Sequence, residues 1–98
     1  MSKVVRVDGA RMAVEGDMLV PDALTLRAQG EALLAELSSP VTVDLAGVGS
    51  VGSVGVSVLM CWMRKAEALG KRVVVVNMPD KMRDVSRVSS LDGLLNKP

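Results

Sequence analysis

The feature that most restricts the fold is a glycine-spaced segment, Gly47-Val48-Gly49-Ser50-Val51-Gly52-Ser53-Val54-Gly55, set between a β-branched stretch and a long apolar one. Before it, Val41-Thr42-Val43-Asp44-Leu45 reads as a short strand. After it, the chain reads as a helix to about Leu69, closed by Gly70 in the position that favours a left-handed C-cap. A linker from Gly47 to Gly55 that turns a strand into a helix makes this an α/β chain, because strands and helices must share one core.

The flanks supply the remaining elements. Lys3 to Asp8 and Ala10 to Glu15 mix apolar and polar residues around Asp8-Gly9, a hairpin signal, so they read as two antiparallel strands. A second break at Gly16-Asp17 leads into Met18-Leu19-Val20, after which Pro21 and Asp22 offer turn and cap chemistry. Leu26, Gly30, Leu33, Leu34 and Leu37 then recur on one helical face, with Arg27, Gln29, Glu31 and Glu36 on the rest. Ser38-Ser39-Pro40 ends that helix. Beyond Gly70, Val73 to Val76 is a continuous apolar run of the kind that fits a central parallel strand covered on both faces. Pro79 opens a third helix with Met82, Val85 and Val88 facing inward, and Ser90 caps a last turn at Leu91 to Leu95. The expected architecture is one domain over residues 1–98. It holds a small mixed sheet, with an N-terminal antiparallel hairpin and later parallel strands joined by right-handed crossovers, and three to four helices.

Composition narrows the function. The 12 basic and 11 acidic residues are scattered and leave a net charge of +1. With one Trp and no Phe or Tyr, the chain lacks both the basic tract and the aromatic faces that nucleic-acid binding uses. A single cysteine, Cys61, and no histidine remove disulfide frameworks, Cys/His zinc sites and histidine acid–base chemistry. Cys61 reads as a buried small hydrophobe. No enzymatic activity, metal or cofactor is expected. The N-terminus is broken by charges and is not a secretory signal. The longest nearly apolar run, Val54 to Met63, is short of the roughly 20 residues that span a bilayer. A cytoplasmic protein without direct membrane insertion is expected.

Gly47 to Gly52 does match G-x-G-x-x-G after a strand and before a helix, a pattern that holds a dinucleotide pyrophosphate at a helix N-terminus. The acidic partner expected about 20 residues on is missing, since the next strand ends at Asn77, and no Gly-Lys-Ser/Thr makes a Walker loop. Turn geometry and close helix packing account for the glycines. Asp44 could be proposed as an acid or base, but a strand-end Asp more commonly anchors hydrogen bonds. Ser50 and Ser53 remain, and each can cap the following helix or, if phosphorylated, set about two negative charges at its positive end.

The order Asp44-Leu45-Ala46-Gly47-Val48, then Gly52-Ser53-Val54-Gly55, then the apolar helix Val56 to Met63, resembles the STAS domains. These include anti-anti-sigma factors and the MlaB-type subunits of lipid-transporting ABC complexes. Gly70-Lys71-Arg72-Val73, Asn77-Met78-Pro79 and Val88-Ser89-Ser90-Leu91-Asp92-Gly93-Leu94-Leu95 look like the MlaB branch. The family pattern is Asp-Ser/Thr-x-Gly, whose hydroxyl is phosphorylated or contacts the partner, and that role carries onto Ser53. Gly52 departs from the pattern, where an Asp is usual, which shifts the expectation from a kinase switch to constitutive docking.

The resemblance implies a non-catalytic subunit that docks on the cytoplasmic ATPase of an ABC transporter, one that moves phospholipid between bacterial membranes and maintains outer-membrane lipid asymmetry. The chain would then lie peripheral to the inner membrane through its partner complex. The alternative is an anti-anti-sigma factor that binds an anti-sigma kinase and is released by phosphorylation of Ser53. The helix after Ser53 has almost no polar residue up to Met63 except Ser57. Its surplus apolar surface either lies under a neighbouring helix or marks an interaction site. The expected partner-binding surface is Ser50, Ser53, Val56, Ser57 and Met60.

Overall fold

The computed structural model describes residues 2–83. Strand β1 (Lys3–Asp8) and strand β2 (Arg11–Met18) form the expected hairpin, with Lys3 opposite Glu15 and Val5 opposite Ala13. Asp8 closes the turn by accepting the Ala10 N–H at 2.8 Å. β2 does not stop at Gly16-Asp17. Gly16 takes a φ of 97° at an irregularity in the ladder, and the strand runs on to Met18. A single 3-10 turn, Val20–Asp22, then leads into helix α1 (Ala23–Glu36). Asp22 occupies the N-cap position of α1, but its side chain makes no capping bond.

Strand β3 runs from Val41 to Val51, more than twice the length expected, and so absorbs most of the glycine segment. Helix α2 (Ser53–Ala68) follows, then strand β4 (Val73–Val76). The sheet order is β1-β2-β3-β4, antiparallel at the hairpin and parallel from β2 to β4. β3 is the central parallel strand. β4 lies at the edge among the described residues, contrary to the expectation from its apolar run, and Val74 is 38% exposed. Residues 80–83 are helical, as expected of a third helix. The readings at Val85, Val88, Ser90 and Leu91 to Leu95 lie outside the described residues.

Burial alternates along β3, with Val41, Val43 and Leu45 buried and Thr42 and Asp44 half-exposed. Met12 and Val14 continue the buried face on β2, and α1 and α2 supply Leu26, Leu34, Leu59 and Trp62 to the same core. α1 presents the predicted face, with Leu26, Gly30, Leu34 and Leu37 buried and Leu33 half-buried against them. The two helices meet where the Trp62 indole lies over Gly30, so closely that a Cβ at residue 30 would fall among the ring atoms. Trp62 is fully buried, and its Nε1 donates to the Arg27 carbonyl at 3.2 Å. Most of the surplus apolar surface of α2 is therefore covered inside the chain.

The end of α2 is a Schellman closure. Gly70, at φ 70°, donates to the Glu67 carbonyl and Lys71 N donates to that of Ala66, as the sequence position of Gly70 predicted.

Candidate functional site

The site expected around Ser53 sits where β2 and β3 end side by side. Met18 pairs with Val51, Gly52 N donates to the Met18 carbonyl at 3.2 Å, and Ser50 N donates to Asp17 Oδ1 at 2.7 Å. α2 starts one residue after β3, so Gly52 alone connects strand to helix. Gly52 is the N-cap, in extended conformation, and its carbonyl accepts the Gly55 N–H at 3.0 Å. Neither Ser50 nor Ser53 caps the helix. Ser50 belongs to β3, and Ser53 is the first residue of α2.

Gly55 explains how α2 reaches the sheet at this point. A Cβ there would stand 2.6 Å from Val51 Cγ2, 3.1 Å from Met82 Cε and 3.3 Å from Met18 Cβ. The helix start is therefore pressed onto the strand ends by a residue with no side chain. Ser53 and Ser57, one helical turn apart, are left on the outer face.

The five expected surface residues divide. Ser50, Ser53 and Ser57 are exposed, and Met60 is half-buried. Val56 is not on the surface: it is 4% exposed and belongs to the core, because the face of α2 that meets the sheet carries Gly55, Val56 and Leu59 together. Cys61 is half-buried rather than enclosed.

The resemblance to a dinucleotide fingerprint dissolves in the geometry. Gly47 pairs with Glu15 and Val48 with Gly16, so the glycine backbone is part of a sheet ladder and does not curl around an anion. Asp44 is an anchor, in mid-strand rather than at a strand end. It accepts from Asn77 Nδ2 at 3.0 Å, from Ala46 N at 2.9 Å and from Arg11 Nη1 at 3.2 Å. The Asn77 amide, then the Ala46 N–H, and more weakly the Arg11 charge hold its carboxyl below the ordinary aspartate value, so it stays ionised at neutral pH. Among the described residues, no three His, Cys, Asp or Glu side chains gather as metal ligands, and no helix is long and apolar enough to cross a membrane.

Two features escaped the sequence reading. Asp17 is the carboxylate that joins the Ser50 backbone, supplied by β2 rather than by the residue before Ser53. Beside it, Leu19, Val20 and Leu24 are 36%, 76% and 80% exposed. The available signal was three large apolar residues around Pro21-Asp22, where turn-forming polar residues are usual.

Comparison with known proteins agrees with this architecture. The family model described as the Mlab STAS domain matches residues 3–96. No curated protein sequence matches the chain. Among solved structures, the anti-sigma factor antagonist SpoIIAA in its unphosphorylated form superposes with a TM-score of 0.73 at 18% identity, covering 94% of this chain and 83% of that one. The Bacillus cell fate determinant SpoIIAA in the phosphorylated form gives a TM-score of 0.68 at 21% identity, over 93% and 85%. With a family match over nearly its whole length, and a hairpin-led mixed sheet shared with SpoIIAA, the chain belongs to the STAS domain family in its MlaB-type branch.

Proposed function

We propose that this chain is a non-catalytic subunit that docks on the cytoplasmic ATPase of an ABC transporter moving phospholipid between bacterial membranes. It would thereby serve outer-membrane lipid asymmetry while lying peripheral to the inner membrane. STAS domains are protein-interaction modules, and the matching model is of the MlaB type. The observation that carries the reading is the placement of Ser53. Its exposed hydroxyl stands at the first residue of a helix that a one-residue connection ties to the sheet. Ser50 and Ser57 extend that hydroxyl-bearing surface, and Met60 contributes an apolar border. Docking is constitutive on this reading, because Gly52 provides no carboxylate beside Ser53 and Asp17 is engaged by the Ser50 N–H.

The test is co-purification. A Ser53→Lys variant with unchanged circular dichroism is expected to lose the ATPase subunit of the transporter from the same organism. Full retention by the folded variant counts decisively against this site.

A second reading is favoured by the likeness to SpoIIAA: an anti-sigma factor antagonist that binds an anti-sigma kinase and is controlled by phosphorylation of Ser53. Intact-mass measurement after incubation with the cognate kinase separates the two. One added phosphate at Ser53 supports the antagonist, and an unchanged mass supports the transporter subunit.

A further inference from the structure

We propose that Asp17 is the positioning residue of the Ser53 surface: its carboxylate locks a bulge in β3 that holds Ser50 outward and sets the point from which α2 departs. The inference rests on the docking reading above and deepens it, by naming a residue that shapes the surface without touching the partner.

The ladder between β2 and β3 shows what is locked. Gly16 pairs with Val48 and Met18 with Val51, so one residue of β2, Asp17, stands against two of β3, Gly49 and Ser50. That is a β-bulge, which leaves a backbone group of the longer strand without its ladder partner. The Ser50 N–H is satisfied instead by Asp17 Oδ1 at 2.7 Å, across 33 positions of sequence. An ionised acceptor makes the stronger kind of hydrogen bond.

The two neighbouring glycines fit this bond. Gly16, at φ 97°, turns β2 immediately before Asp17 in a conformation that favours glycine. On β3, a Cβ at residue 49 would stand 2.5 Å from Asp17 Oδ1, and the carboxylate is the group that would have to move aside.

The bulge sets the phase of the chain that follows. Gly49 and Ser50 are both exposed where a regular strand would alternate. Val51 then turns into the core at 4% exposure, Gly52 N reaches the Met18 carbonyl, and Ser53 opens α2 on the outer face. Asp17 therefore governs how Ser50 and Ser53 are spaced and aimed.

The experiment measures affinity of the full chain for the purified ATPase subunit of the phospholipid-transport ABC complex from the same organism. Wild type, Ser53→Lys, Asp17→Ala, Asp17→Asn, Gly49→Ala and the double variant Asp17→Ala/Gly49→Ala are compared, with affinities corrected for folded fraction and with hydrogen exchange of the Ser50 amide. Ala and Asn both remove the charge, but only Asn keeps an oxygen acceptor, so the pair isolates the bond. Asp17→Ala is expected to weaken binding about fivefold to tenfold and to speed Ser50 exchange, while Asp17→Asn restores both to within about threefold of wild type. Gly49→Ala is expected to match Asp17→Ala, and the double variant to be no worse than either, because each removes the same bond. Asp17→Asn binding as weakly as Asp17→Ala, with Ser50 exchange restored, means that the partner reads the charge, and overturns the positioning role. Binding by Asp17→Ala within about twofold of wild type, with Ser53→Lys impaired, also overturns it and leaves the docking reading standing. A wild type that fails to bind the ATPase, or Ser53→Lys and Asp17→Ala both binding as wild type does, overturns both.

Discussion

Lys71 donates from Nζ to the Leu37 carbonyl at 2.7 Å, joining two residues 34 positions apart. The same ammonium reaches the carbonyls of Leu34 and Ala35 at 2.8 and 3.1 Å, so three acceptors at the end of α1 share one cation. Its backbone N–H closes α2 on Ala66. One residue therefore terminates both helices, with its positive charge at the negative end of α1. Lys71→Met keeps most of the stem and removes the donors. Urea unfolding is expected to show a loss of about 1–3 kcal/mol, the cost of leaving part-buried acceptors without a charged partner.

Gly30→Ala tests the contact between the helices. Alanine is the better helix former by up to about 1 kcal/mol, yet its methyl group would enter the Trp62 ring. Overpacking is expected to win, with a net destabilisation of about 1–3 kcal/mol. Trp62 is the only tryptophan, so its emission reports the change directly. The spectrum should shift to the red as the indole leaves its buried place and the bond to the Arg27 carbonyl. An unshifted spectrum at full stability would contradict the contact.

Asp44 makes a prediction about acid. Its folded pKa is depressed below the ordinary 3.8 by the Asn77 amide and the Ala46 N–H, with a smaller effect of Arg11. The stabilisation of the ionised form is therefore fully present above pH about 4 and fades as pH falls through the folded value. Comparing urea midpoints of the wild type and Asp44→Asn from pH 7 downwards, the gap should be constant to about pH 4 and close below it. A gap that widens in acid reverses the sign and refutes the assignment.

Val56 and Ser57 are neighbours in sequence with opposite expected behaviour. Val56→Ala removes buried methyl groups and should cost about 1–3 kcal/mol of stability, while the folded fraction binds partner normally. Ser57→Lys alters an exposed position. Its stability should change by less than about 0.5 kcal/mol, and its partner binding should weaken. Thermal unfolding paired with pull-down of the ATPase separates the two.

Legibility in the sequence followed how far local pattern determined the outcome. The Asp8-Gly9 hairpin, the apolar face from Leu26 to Leu37 and the Gly70 cap were readable because spacing and turn chemistry act within a few residues. The extent of β3 was not. Glycines at 47 and 49 resemble a linker until β2 offers a partner strand as far as Met18, and pairing then overrides composition; of the linker read from Gly47 to Gly55, only Gly52 remains a connection. Val73 to Val76 suggested a central strand, since apolar runs mark strands covered on both sides. The pattern cannot distinguish that from an edge strand with its second face half-open. The inward turn of Val56 was hidden by the helix itself, where Ser57 alone gave a polar bearing between Ser53 and Met63. The exposure of Leu19, Val20 and Leu24 is not legible in the sequence, because apolar residues beside Pro21 look like the start of a helix core.

The single-residue passage at Gly52 has a mechanical consequence. Turning α2 about its start would require breaking the Gly52 to Met18 bond and unzipping the last rungs between β2 and β3. Ser53 is thus carried on a stiff mount, like a tooth cut into a frame, and on the proposed docking it would lose little conformational freedom. On the proposed docking, any adjustment of shape during assembly would fall to the partner.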